Sequence, residues 1–186
     1  MIGTHFPDPH FPDPHNAPGH DPNHALCALR HASSEGRIRT VTPFQPGLSL
    51  QADPDLMVDG EFRSPAGRLL ELDVTTAGTG SWIALHIRLV DPDLSDCAYL
   101  GFACRHAAPG ELAIQPCLRS GTADGFSDCF FTKHILSVPE PLNHVDALHI
   151  PTRRAISETA PWRELVLFLP RHDFRWDLHD LRLFAI

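Results

Sequence analysis

The sequence is poor in positive charge. It has 15 Lys and Arg residues against 23 Asp and Glu residues, which gives a formal net charge of -8 at pH 7, and Lys133 is its only lysine. A protein that binds duplex nucleic acid needs a cationic surface that displaces counterions from the phosphates. The composition therefore predicts that nucleic acid is not a partner.

Long apolar runs are also missing. No stretch approaches the roughly 20 apolar residues that a membrane-spanning helix requires, and the N-terminus lacks the basic start and apolar segment of a secretory signal peptide. We therefore predict no membrane insertion and no export by the general secretory route. The expected location is the cytoplasm, or outside the cell after release without a signal peptide, as for part of a phage-like particle.

Sequence motifs for cofactors and catalysis are absent as well. The five cysteines are odd in number and form no C-x-x-C pair, so reduced thiols are expected rather than a disulfide framework or a zinc ribbon. The sequence has no G-x-S-x-G elbow, phosphate loop, dinucleotide fingerprint or H-E-x-x-H motif. We predict a non-catalytic protein without catalytic residues, metal site or cofactor.

The first 24 residues have a composition of their own. The segment from His5 to Pro9 repeats at residues 10–14, and its prolines remove backbone donors and forbid a regular helix. Histidines recur at five-residue spacing, which in polyproline geometry turns successive rings away from a common face. An extended arm, either flexible or docked on a protein assembly partner, is therefore favoured over a metal site formed by this His-rich tract.

A short helical turn is predicted from about Asn23 to Ser33, with Asn23 as its cap. We therefore divide the chain into a Pro/His-rich arm over residues 1–35, with this turn at its end, and a β-sandwich domain over residues 36–186.

From Ile38 onward, short apolar runs alternate with clusters of Pro, Gly, Asp and Ser, which is typical of an antiparallel all-β domain. The predicted strands are Ile38 to Thr42, Leu48 to Ala52, Leu56 to Phe62, Leu69 to Thr76, Trp82 to Val90, Ala98 to His106, Leu112 to Arg119, Phe126 to Val138, Val145 to Ile150, Glu164 to Pro170 and Leu178 to Ile186. No long amphipathic helices separate them. The pattern predicts a two-sheet sandwich of jelly-roll type.

The segment from Trp82 to Val90 alternates without a break between an aliphatic set and a mixed set. This period of two is what a half-buried strand requires, because successive side chains leave opposite faces of a sheet. Several other strands repeat the pattern. If these strands are neighbours, one exposed face carries Trp82, His86, Arg88, Tyr99, Arg105, Gln115 and Arg119, together with Glu71 and Asp73.

Such a face suits a hydroxyl-rich ligand. An aromatic ring offers its surface to the C–H side of a sugar, while Arg, Gln and carboxylate groups hydrogen-bond its hydroxyls. Several arginines in the set also favour an anionic glycan. The alternative is an ordinary solvated face whose charges form weak surface pairs.

The last third of the chain shows a family pattern. A Trp precedes the hydrophobic run in Ala160 to Pro170, and Phe174 to Phe184 follows as a final strand. This arrangement resembles the closing strands of bacterial carbohydrate-binding modules and related galactose-binding-like sandwiches, over about residues 56–186. The resemblance implies a jelly roll, a non-catalytic role in binding a cell-surface or capsular glycan, and a structural place in the core for Trp162.

Two other classes of function stay open. A structural or receptor-binding attachment subunit, such as a spike or fibre of a phage-like particle, would use residues 1–24 as its docking arm. A small metal-dependent oxygenase would use His144 and Asp146, which as an i, i+2 pair project to one side of a strand, with His149, His172 or His179 as third ligand. A paired-carboxylate glycosidase would draw on Glu71, Asp73, Glu111 and Asp128, but depends on their separation in space.

Overall fold

The computed structural model describes residues 23–90 and 93–186. The arm predicted to dock on a partner, and its possible metal-binding histidines, lie almost entirely outside these residues. The described chain forms one helix, thirteen strands and a short 3-10 turn at Ile150–Thr152. The elements are α1 (His24–His31), β1 (Ser34–Ile38), β2 (Val41–Gln45), β3 (Leu48–Ala52), β4 (Leu56–Ser64), β5 (Leu70–Gly78), β6 (Ile83–Leu89), β7 (Tyr99–Ala107), β8 (Leu112–Thr122), β9 (Gly125–Phe130), β10 (Ile135–Ser137), β11 (Leu142–His149), β12 (Arg163–Phe168) and β13 (Phe174–Ala185).

The strands build two antiparallel sheets. Sheet I has the order β1-β4-β5-β13-β7-β11, and sheet II has the order β10-β8-β12-β6-β3-β2, with β9 also pairing with β8. Every strand pair is antiparallel. The predicted two-sheet sandwich of jelly-roll type is confirmed.

The core lies between the two sheets and follows from the alternation of the strands. In sheet I, Leu72 and Val74 point inward, and in sheet II, Leu85 and Ile87 do so; all four are at most 1% exposed. Residues one position along point to the outer side of each sheet; Asp73 of β5, for example, is exposed. Burying one phase of each strand against the other sheet is the main apolar contribution to stability.

Helix α1 packs against one edge of this core through Leu26 and Leu29, both fully buried. Asn23 precedes the helix as predicted, but its side chain does not cap it. Instead its amide nitrogen donates to the Leu183 carbonyl at 3.1 Å, and its amide oxygen accepts from the Leu183 N–H at 2.7 Å. The amide thus mimics a strand neighbour and attaches the helix to β13. Among the described residues, no helix is long and apolar enough to cross a bilayer.

Two predicted strands are wrong in their extent, because the chain changes partner strand within them. Residues 38–42 belong to β1 in sheet I and β2 in sheet II, with the crossing at Arg39 and Thr40. Residues 126–138 likewise divide into β9 and β10. An unbroken apolar pattern predicts which alternate residues are buried, but not the sheet to which each part of the segment belongs.

Candidate functional site

Five aromatic side chains share the outer side of sheet II. We call this surface the aromatic face; its rings belong to Trp82, Phe126, Phe130, Trp162 and Phe168. Phe126 and Phe130 are about half exposed, at 55% and 42%, although both belong to a regular strand. A sheet surface with several exposed rings is a common form of recognition site.

The strand register places polar groups in rows between these rings. Across neighbouring strands the rows are Gln115, Phe168, Ala84 and Gln51; then Phe130, Cys117, Val166, His86 and Ser49; then Asp128, Arg119, Glu164 and Arg88. With strands about 4.8 Å apart, the five strands span about 20 Å. The face is wide enough for an extended ligand that crosses the strands.

The floor of the aromatic face is apolar and dry. Ala84, Cys117 and Val166 are fully buried although they point away from the core, because Trp82 and Phe168 pack over them. Burial, with the nearby Asp128 carboxylate, raises the pKa of the Cys117 thiol to about 12, so it stays protonated and unreactive. The floor therefore supports the rings and offers no chemistry of its own.

Trp162 lies directly over Gly121 of β8. A Cβ atom at Gly121 would stand 2.5 Å from the indole Nε1 and 2.7 Å from Cδ1, closer than carbon atoms approach. Glycine is therefore required here so that the indole can lie flat against the strand. The expected core position of Trp162 is wrong: the ring is partly exposed, and the tryptophan buried in the core is Trp176.

Arg119 is held rigidly at the centre of one row. Its Nε and one terminal nitrogen donate to the two carboxylate oxygens of Asp128, both at 2.7 Å. The guanidinium also lies 4.0 Å from the Phe126 ring centroid and 5.9 Å from that of Phe168. The bond to Asp128 raises the pKa of Arg119 further, so the cation is fixed in charge as well as position.

A second polar pair joins His86 and Glu164. His86 Nδ1 lies 2.9 Å from Glu164 Oε2, and this bond holds the pKa of the Glu164 carboxyl below its usual range. Because the carboxylate is ionised, Nδ1 carries the proton and donates. His86 is only 5% exposed, so it positions Glu164 from beneath the surface. Beside the pair, the β2–β3 hairpin and Arg88 enclose an open cavity of about 670 Å³.

Five of the seven residues predicted to bind a ligand lie together on the outer side of sheet II: Trp82, His86, Arg88, Gln115 and Arg119. The grouping of Tyr99 and Arg105 with them is wrong, because both belong to β7 in sheet I. Glu71 and Asp73 lie in sheet I too. The chain crosses from one sheet to the other between β6 and β7, so these two strands, although consecutive in sequence, are not neighbours.

The residues of the two enzymatic alternatives do not assemble. His144 and Asp146 share the inner side of β11, as their spacing requires, and the His144 ring stacks on Phe102 with centroids 5.4 Å apart. Within residues 23–90 and 93–186, no three His, Cys, Asp or Glu side chains are placed to hold a metal ion. The four carboxylates lie in three places: Asp128 is in sheet II, Glu111 is in an exposed turn, and Glu71 and Asp73 line one small cavity on sheet I together with two arginines.

Four aromatic residues of the site were missed as ligand candidates. Phe168 alternates with the core residues Leu165 and Leu167, and the i, i+4 spacing of Phe126 and Phe130 places them on one side of a strand. These signals were present in the sequence. For Trp162 the signal is weaker, because the flat contact that explains it involves Gly121, more than 40 residues away.

No protein-family model matches the chain, and no curated protein matches it in sequence. Solved structures are similar in fold. The family 11 carbohydrate-binding module of a cellulosomal cellulase of Clostridium thermocellum matches with a TM-score of 0.52 and 12% identity, over 83% of this chain and 96% of that one. The N-terminal cellulose-binding domain of β-1,4-glucanase C of Cellulomonas fimi matches with a TM-score of 0.51 and 13% identity, over 83% and 98%. The fold is thus like that of carbohydrate-binding modules.

Proposed function

We propose that this protein binds a glycan, without catalysis, on the aromatic face of sheet II. The observation that carries the proposal is the outer side of this sheet, where Phe130 and Phe168 on one side and Phe126 on the other flank, in register, a row of polar groups. Trp82 and Trp162 lie on the same face just before β6 and β12. Rings stack on the apolar faces of sugars, and the polar rows between them hydrogen-bond the hydroxyls. A solvated face without a ligand would not need a dry apolar floor beneath its rings.

The charged groups of the face are suited to recognition. Asp128 is held at both carboxylate oxygens by Arg119, and Glu164 is held by His86. Both carboxylates are thereby held in a fixed orientation, and the lowered pKa of Glu164 keeps that group ionised, which favours orientation of a ligand over transfer of protons. The exposed Arg88 at the edge of the cavity adds a guanidinium, which donates hydrogen bonds and has no acceptor atom.

The fold supports the same proposal. The two similar structures described above are named as a carbohydrate-binding module and a cellulose-binding domain. Sequence identities of 12% and 13% support similarity of fold but not of ligand. The proposed ligand of this chain therefore rests on the residues of its own aromatic face. A cell-surface or capsular glycan, with acidic groups facing Arg88, is the finer form of the proposal.

Replacement of Trp82 or Trp162 with alanine is expected to lower glycan affinity about tenfold or more, because a stacked ring contributes about 1–3 kcal/mol. A glycan array identifies the ligand, and titration calorimetry then measures the dissociation constant for each variant. Tyr99→Ala is the matched control, because Tyr99 is an exposed aromatic residue on the other sheet. Binding that is absent from the array, or equally weakened by Tyr99→Ala, contradicts the proposal.

Gly121→Ala tests the face without removing any ring. The new methyl group would overlap the Trp162 indole, which must move off the strand. We expect a loss of glycan affinity approaching that of Trp162→Ala, while the far-ultraviolet circular dichroism is unchanged. Unchanged affinity would show that the position of Trp162 does not matter for binding.

A further inference from the structure

A cavity of about 620 Å³ lies on the other side of the sandwich, at the outer side of sheet I. Four arginines line it: Arg30 from α1, Arg68 from the β4–β5 turn, Arg105 from β7 and Arg182 from β13. His31, His179 and one carboxylate, that of Asp180, complete its polar rim. Four separate elements thus bring cations to one concave place, in a protein whose formal net charge is -8.

The carboxylates nearby do not neutralise these cations. Asp180 pairs with Arg30 and, at 3.4 Å, with Arg182, while Glu71 pairs with Arg68 at 2.6 Å. Arg105 is exposed and has no ion-pair or hydrogen-bond partner among the described residues. Four guanidinium groups therefore face Asp180 and Glu71. A third carboxylate close to His179, that of Asp177, lies 3.9 Å from a fifth arginine, Arg175, so the cavity keeps a local surplus of positive charge.

The backbone of β13 is irregular beside this cavity. The pairing of β13 with β7 shifts register between Leu178 and Asp180, so His179 is an inserted residue, a β-bulge. Bulges redirect a side chain and often lie beside functional sites. The Leu69 N–H reaches both the Leu178 and the His179 carbonyl at 3.2 Å, which holds the bulge against the start of β5. Burial lowers the pKa of His179; Arg68 and Arg105 lower it further, while Asp177 and Glu71 act in the opposite direction.

We propose that this cavity is a binding site for a small oxyanion, a carboxylate, sulfate or phosphate group, with Arg105 as the principal contact. A guanidinium presents a planar fork that matches two oxygens of such a group. No Phe, Tyr, Trp or large apolar side chain lines the cavity, so it lacks the surface that a sugar ring or an apolar peptide would pack against. The site is independent of the aromatic face, which lies on the opposite sheet, and either can fail without the other.

Calorimetric titration of the full chain with sodium sulfate, inorganic phosphate and methyl glucuronide, each at constant ionic strength, tests the proposal. Saturable binding is expected, and Arg105→Gln should weaken it about tenfold, because one charge-assisted contact of this kind is lost. The signal of the Arg105 side-chain N–H in ¹H–¹⁵N spectra should shift with the same dissociation constant. Stronger binding of the glucuronide identifies the carboxylate of an acidic sugar as the source; stronger binding of sulfate or phosphate identifies an inorganic or esterified anion.

Arg154→Gln is the matched control, because the charge change is the same and Arg154 is exposed. Its loop contacts sheet II, where the Ala155 carbonyl accepts from Ser127 Oγ, and not the outer side of sheet I. The site is supported if Arg154→Gln leaves the affinity unchanged. It is overturned if all three anions fail to saturate, or if both variants weaken binding equally, which would mean attraction to overall charge. Because Arg105 is exposed, Arg105→Gln should fold normally, and its thermal unfolding confirms this.

Discussion

Replacement of Arg163 with alanine is expected to lower the free energy of unfolding by about 3–5 kcal/mol. Arg163 begins β12 and is fully buried at the end of sheet II. Its guanidinium donates to Ser120 Oγ at 2.6 Å, to the Ser157 carbonyl and to the Glu158 carbonyl at 3.0 Å. Alanine leaves a cavity and removes the donor for these oxygens, and each buried acceptor without a partner costs about 1–3 kcal/mol.

The same arginine connects the sheet to the loop before β12. Burial lowers the pKa of Arg163, but a guanidinium remains protonated in any case, so the buried charge must be surrounded by acceptors. Two of those acceptors are the Ser157 and Glu158 carbonyls of the loop, and Trp162 lies at the end of this loop. Loss of Arg163 should therefore also loosen Trp162 on the aromatic face.

Urea unfolding followed by tryptophan fluorescence measures the free energy of unfolding of the wild type and of Arg163→Ala. Arg163→Met separates the contribution of the cavity from that of the lost hydrogen bonds, because methionine keeps most of the volume and removes the hydrogen bonds. Its loss of stability should lie between zero and that of Arg163→Ala. Arg154→Ala, at an exposed position, should change stability by less than about 0.5 kcal/mol. A loss below about 1 kcal/mol for Arg163→Ala would mean that the loop contacts are dispensable.

Mild acid should destabilise the protein through His106. This side chain is 1% exposed on the inner side of β7, and Nδ1 lies 2.6 Å from Ser137 Oγ. Trp176 Nε1 donates to the same oxygen at 3.1 Å, so the serine hydroxyl proton is available to a neutral His106. Burial lowers the pKa of His106 from 6.5 to about 4, with further lowering from His144 and His179.

The direction with pH follows from this lowered pKa. Below pH 6.5 the unfolded chain binds a proton at this histidine, whereas the folded protein binds it only near pH 4. Stability is therefore lost as the pH falls through this range, by about 2–3 kcal/mol between pH 7 and pH 4.5. Burial also lowers the pKa of His144, which adds a loss of the same sign.

His106→Asn places an amide oxygen near the position of Nδ1 and removes the titrating group. Between pH 7 and pH 4.5 the free energy of unfolding should fall less for this variant than for the wild type. The difference between the two losses should be about 2–3 kcal/mol, whatever the stability of the variant at pH 7. His172→Asn, at an exposed turn, should leave the pH dependence unchanged. In the wild type, the His106 ring proton signals should show a neutral ring down to about pH 4. Titration of that ring near 6.5 would contradict the prediction.

Much of the fold could be read from the pattern of the strands. The alternation from Trp82 to Val90 predicted β6 to within one residue at each end, and its aliphatic phase is the core phase. Leu165 and Leu167 are recognised by the same rule in β12. Local alternation succeeds here because burial against the other sheet selects one phase along each strand, whatever the partner strand is.

The candidate site could be read only in part. Alternation predicted the outward phase of His86, Arg119 and Arg105 correctly, but not that Arg105 belongs to the other sheet. The sheet to which a strand belongs depends on where the chain crosses from one sheet to the other. The few residues of a connecting turn do not show whether the next strand stays in the same sheet or crosses the core. The same limit hid Trp162, whose place depends on a glycine in a neighbouring strand.

The sequence alone determined the all-β class, most strands and the side of each strand that faces solvent, because these follow from a period of two within a few residues. Tertiary structure decided which outward residues meet. It gathered five rings and the Arg119–Asp128 and His86–Glu164 pairs on sheet II, and it moved Arg105 to a cationic cavity on sheet I. The physical reason is that long-range strand pairing is fixed by the packing of the whole core, and no single segment carries that information.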